Sequence, residues 1–212
     1  MNWQSRAGPI RAFVCDWHRT VAKSGWLESC YLRAISTLCR NVLGAPLGAR
    51  TAPLMPATSI DWPEIAFAPR SALVGVRTEI RLIPHLGEFD QAVLFKKRLD
   101  YETPVFCWLE RNAVDYDLVI EIGANIGVYS VFLDALIKSR PDSRLKRVIA
   151  FEPALGPFGR LLDNLKVNET HFVLPFRAAI ANTTAFRSFF EPKDHLTNGS
   201  LVAQFASIFS PP

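Results

Sequence analysis

From residue 118 onward, short apolar runs alternate with stretches whose apolar residues recur every three or four positions. The run Leu118-Val-Ile-Glu-Ile122 predicts a strand, and 125–139 then predicts a helix with Tyr129, Phe132, Leu133, Leu136 and Ile137 on one face. Pro141 ends it. A second strand follows over 147–151, a second helix over 155–168 and a third strand over 172–176. Strand and helix alternating at this length predict a parallel sheet with right-handed crossovers, an α/β architecture. Ala179–Ile180 and 185–190 flank Asn182 and suggest a hairpin after the third strand.

Upstream the rhythm differs. The segment WLESCYLRAISTLCRNVL (26–43) carries Trp26, Leu27, Cys30, Tyr31, Ala34, Leu38 and Val42 at helical spacing, and Gly44 and Pro46 follow as stop signals. Such a stripe either packs on its own domain or lies on a membrane surface. Pro46, Pro53, Pro56 and Pro63 mark 44–63 as a linker. ALVGVRTEIRLIP (72–84) reads as one or two strands, 88–97 as a short helix, and 101–111 as another with Pro104 in its first turn. The chain thus divides into a helical N-terminal extension, 1–71, and an α/β domain, 72–212.

Composition narrows the picture. Hydrophobic residues make up 49% of the chain and charged residues 21%, enough apolar material for one globular core. No run of eighteen apolar residues is present to span a membrane, and the first ten residues lack the apolar stretch of a secretory signal. The four cysteines, Cys15, Cys30, Cys39 and Cys107, form no CxxC pair and have no His pair at ligand spacing, so neither a metal site nor a disulfide framework is expected. Those traits suit a reducing, cytoplasmic setting. The charge of +4 is uneven, because residues 1–60 alone carry +5. Their basic residues are scattered without interleaved aromatics, so nucleic acid is not an expected partner.

The chemistry concentrates in EIGANIGVYS (121–130), where a strand turns into a helix. Gly123 permits a tight turn and close approach by a ligand, Gly127 permits close packing, and Asn125 is placed to cap the new helix. Free amides at a helix start favour an anionic group. Glu121 at the strand end repels phosphate and suits an ammonium group. One ligand with both groups is the methionine end of S-adenosylmethionine. The second strand ends in Phe151-Glu152-Pro153, and an acid there accepts hydrogen bonds from ribose hydroxyls. A nicotinamide-dependent oxidoreductase is the alternative, since Glu152 serves its ribose equally well, but the glycine pattern lacks the middle glycine of G-x-G-x-x-G. A non-catalytic module that keeps the fold alone is a third reading. His195 and Asp194 lie nearest to a general-base role, and His18, His85 and His171 form no pattern, so no catalytic base is assigned.

EIGANIGVYS, FEP (151–153), NLKVN (164–168) and AAIANTTAFRSFF (178–190), with the lead-in FDQAVLFKKRLDYETPVFCWLER (89–111), resemble the FkbM family of methyltransferases over about residues 72–205. The resemblance implies a Rossmann-like class I methyltransferase sheet and S-adenosylmethionine as the methyl donor. It also implies an oxygen acceptor on a small molecule or sugar. Carried over by position, Glu121, Gly123, Asn125 and Gly127 line the methionine end and Glu152 holds the ribose. The family continues into further strands with a segment resembling I-D-V-E-G, and nothing like it follows Phe190 here. The resemblance therefore implies an incomplete sheet and weak or absent independent activity.

Overall fold

The computed structural model describes residues 30, 34, 65–69, 78–84, 90, 93, 99, 102–191 and 199–209. The chain divides into two compact units. One comprises residues 1–70 and 82–103, the other residues 71–81 and 104–212. In the first, the described residues include strand β1 (Ile65–Phe67), with Ile65 and Phe67 buried and Ala66 exposed. Val93 and Leu99 are buried there as well. Of the helix predicted over 26–43, only Cys30 and Ala34 are described; both are helical and exposed. The rest of that stripe and the proline segment 44–63 lie outside the described residues, as do Asp194 and His195.

The second unit holds the α/β sheet. Strand β2 (Ile80–Leu82) falls at the division, and helix α1 (Thr103–Asn112) starts with Pro104 in its first turn, where the missing N–H costs nothing. Then come β3 (Leu118–Ile122), α2 (Val128–Ser139), β4 (Arg147–Phe151), α3 (Leu155–Val167), β5 (Val173–Phe176) and a short α4 (Ala203–Phe209). The three strands are parallel in the order β3-β4-β5, with Leu118 opposite Arg147 and Val148 opposite Val173. This is a mixed α/β architecture compatible with a Rossmann-like fold.

Strand burial follows the pleat. Val148 and Ala150 of β4 are buried, whereas Leu118, Ile120 and Ile122 of β3 are 43%, 55% and 66% exposed. Leu174 and Phe176 of β5 lie exposed as well, and the Phe176 ring stacks on Phe151 at 5.5 Å. One face of the sheet is therefore bare, although parallel strands are usually covered on both. Helix α2 is buried far more widely than its predicted stripe: Val128 and Val131 join Phe132, Leu133, Leu136 and Ile137. Phe106 of α1 packs edge-on against Phe132 at 5.0 Å and tilted against Tyr129 at 4.9 Å.

Polar ties fix the layers. Asp134, almost fully buried in α2, accepts the backbone N–H groups of His171 and Phe172 at 2.9 Å each and pairs with Lys138 at 2.8 Å. Lys138 donates onward to the carbonyls of Asn168 and Glu169, closing off the end of α3. The Asn168 amide imitates a neighbouring strand toward Arg81, accepting its N–H at 2.8 Å and donating to its carbonyl at 2.7 Å. The hairpin expected around Asn182 is absent. Residues 177–188 are exposed and irregular, and the pairing found is an antiparallel bridge between Phe190 and Ser200. With no face to bury, the alternation in that segment has nothing to fix it as a strand.

Candidate functional site

The site lies at the carboxyl ends of β3 and β4. Strand pairing continues past β3, because the N–H groups of Gly123 and Ala124 both donate to the Phe151 carbonyl at 2.9 Å. That junction draws the loop after β3 against the end of β4, so Glu121 and Glu152 come together. Their proximity is felt electrostatically, since the charge on Glu152 disfavours a charge on Glu121.

Three residues of the loop take left-handed backbone: Gly123 at φ 78°, Asn125 at φ 51° and Gly127 at φ 79°. Glycine adopts this region freely and asparagine tolerates it better than most residues. The loop must finish before a helix can start, so α2 begins at Val128 and not at 125. Gly127 is its N-cap and no side chain caps it. Asn125 is thus not the helix cap. Its backbone N–H instead donates to Oε2 of Glu152 at 2.8 Å. Gly127 also serves a different neighbour from the one expected. A Cβ there would sit 2.2 Å from Cδ1 of Leu161, so its bareness admits helix α3 rather than a strand. A Cβ at Gly123 would meet nothing within 4 Å, which leaves open space over that turn.

Glu152 is only 6% exposed. Its Oε1 accepts the Ala154 N–H at 2.8 Å, and its Oε2 accepts that of Asn125. Each oxygen keeps a further lone pair for a ligand hydroxyl. Burial raises the pKa of the Glu152 carboxyl above its ordinary value, the N–H groups of Ala154 and Asn125 pull it down, and the charge of Glu191 pushes it up. Glu121 is partly buried and accepts from the hydroxyl of Ser130, which is itself fully buried. Burial pushes the Glu121 carboxyl up to about 7; the Ser130 hydroxyl and backbone N–H oppose this, and Glu152 adds to it. Among the described residues no cation pairs with either site carboxylate; Lys138 pairs with Asp134 and Arg144 with Asp117.

The structure therefore brings all five residues singled out from sequence, Glu121, Gly123, Asn125, Gly127 and Glu152, into one loop and two strand ends. The free amides anticipated there are fewer. Those of Gly123, Ala124, Asn125 and Gly127 are bonded within the protein, and that of Ser130 in the first turn of α2 goes to Glu121. Two residues with a part in the site were not read from sequence. Ser130 contacts Glu121, and its place one turn into the helix was the available signal. Asn164 of the NLKVN segment is buried in α3 and donates to the Ile126 carbonyl at 2.8 Å, holding the loop from behind.

His171 lends only its backbone N–H, to Asp134. Among the described residues no cluster of three or more His, Cys, Asp or Glu could hold a metal ion, and no helix is long and apolar enough to cross a membrane. Compared with models of known protein families and with curated proteins, the chain matches none.

Proposed function

We propose that this domain binds S-adenosylmethionine and belongs to an oxygen-directed methyltransferase acting on a small molecule or sugar. One observation carries the reading. Two adjacent carboxylates, Glu121 and Glu152, lie at neighbouring strand ends with no cationic partner among the described residues. Uncompensated carboxylates in a partly dry site favour a ligand that brings positive charge and hydroxyl donors. They disfavour a pyrophosphate, whose charge would face both acids at short range. The nicotinamide alternative loses ground for that reason.

The residues fit the cofactor in three respects. Glu121 is placed to accept from an ammonium group. Glu152 keeps acceptor capacity for two ribose hydroxyls after its two backbone bonds are made. The start of α2 offers a carboxylate the positive end of the helix. S-adenosylmethionine supplies, when bound, an electrophilic methyl group on a sulfonium centre. The protein's contribution is then mainly orientation and exclusion of water.

Titration calorimetry with S-adenosylhomocysteine and with NAD tests the reading. The expected result is binding of the first and none of the second, with Glu152→Gln weakening it about tenfold through the loss of one charged acceptor. Glutamine is the apt substitution, because alanine would strand the Asn125 and Ala154 N–H groups as well. Binding of NAD without S-adenosylhomocysteine would sink the proposal.

A further inference from the structure

Glu121 has two contacts in its surroundings, and both come from Ser130: the hydroxyl and the backbone N–H. Ser130 is fully buried in the first turn of α2, nine residues beyond the carboxylate it touches. A serine so early in a helix more often turns its hydroxyl to a carbonyl one turn back. Here the Ile126 carbonyl accepts from Asn164, and the Ser130 hydroxyl donates to Glu121. A carboxylate left alone in such surroundings would take up a proton and lose its pull on a cation.

We propose that Ser130 is a positioning residue, whose hydroxyl and N–H fix the Glu121 carboxylate at the tip of β3 and favour its ionised form, so that its remaining lone pairs receive the cationic group of the ligand. The inference rests on the reading that Glu121 meets the ammonium group of S-adenosylmethionine, and it adds that binding is linked to a proton. The charged groups around Glu121 can be named by element. Glu152 stands at the end of β4 and opposes ionisation of Glu121, and Glu191 in turn acts on Glu152. On α2, Asp134 and Lys138 pair with each other. Arg147 is at the opposite end of β4. Ser130 is thus the group that favours the charged carboxylate against burial and Glu152.

The experiment follows the Glu121 side-chain carboxyl by carbon-13 NMR from pH 5 to 9 in the full chain, with Glu121→Gln to assign the signal. Ser130→Ala, Ser130→Cys and Ser130→Thr are compared with the parent. The parent midpoint is expected near 7. Ser130→Ala should move it up by about one pH unit, the worth of one charge-assisted hydrogen bond. Ser130→Cys, close in size but a weak donor, should behave like alanine, and Ser130→Thr should restore the parent value.

Affinity for S-adenosylhomocysteine should climb through the same midpoint in each variant and reach one common plateau above pH 8.5. A Glu121 midpoint that does not move in Ser130→Ala overturns the proposal. So does an affinity loss equal at every pH, which is the mark of packing damage. Should Ser130→Ala fail to fold, Ser130→Cys decides on the same readings. If the parent binds no S-adenosylhomocysteine at any pH, the cofactor reading fails, and the NMR midpoints still decide what Ser130 does to Glu121.

Discussion

Gly123 and Gly127 share a backbone conformation and a motif, yet substitution should separate them. Alanine at Gly123 meets open space and suffers only the left-handed backbone, a cost of about 1 kcal/mol. Alanine at Gly127 carries the same strain and also drives Leu161 aside, for a total of about 3 kcal/mol. Urea denaturation of the two variants should therefore show a clear gap, while Gly123→Ala, filling the space over the turn, should hurt S-adenosylhomocysteine binding more than it hurts stability. Glu121 makes a second residue-level prediction. Its folded-state value of about 7 lies above the ordinary 4.5, so the folded protein binds the proton more tightly than the unfolded chain. Its contribution to stability is complete below pH 4.5 and is lost as the pH climbs through 7. The stability of the ligand-free parent relative to Glu121→Gln should fall between pH 5 and 8, and a flat difference would contradict the burial of Glu121.

At the scale of elements, the sheet is registered by a few buried polar groups as much as by its apolar pattern. Asp134 joins α2 to the chain entering β5 through two backbone N–H groups and the Lys138 pair. Asp134→Ala leaves both donors without an acceptor and should cost about 3 kcal/mol in urea unfolding. Asp134→Asn retains one acceptor oxygen and should cost less than half of that. Asn164 and Asn168 show the same economy from α3. One side chain pins the Ile126 carbonyl behind the glycine loop, and the other completes hydrogen bonding for Arg81. The NLKVN segment matters here for where its two amides reach.

For the α/β unit as a whole, the uneven covering of the sheet is the dominant feature. Helices α2 and α3 cover one face, while Leu118, Ile120, Ile122, Leu174 and Phe176 stand exposed on the other. Ile122→Thr should change stability by less than about 0.5 kcal/mol, because a residue that is 66% exposed has little burial to lose. Val148→Ala, on the covered face, should cost about 2 kcal/mol. Equal losses at the two positions would show that both faces are covered in solution. The two edges also differ: β5 carries Pro175, which suits an outer strand, and β3 has no such residue.

The chain's own pattern determined a good deal. Strands 118–122 and 147–151 and the start of the helix at 155 were legible because short, mostly apolar runs and a three-to-four spacing have few other solutions. That Glu121, Gly123, Gly127 and Glu152 would fall at a strand-to-helix turn and a strand end was legible, because glycines and acids there have little reason to sit in a plain core. Strand β1 left no signal, since three residues are too few to show a period. The delayed start of α2, the Glu152 carboxylate bonded across to Asn125, the hold of Ser130 on Glu121 and the bare sheet face were decided only in three dimensions. Each depends on a partner distant along the chain or on a backbone angle that several residues can adopt. Local spacing encodes which element forms and which face is apolar; what that face and its polar tips meet is set by packing.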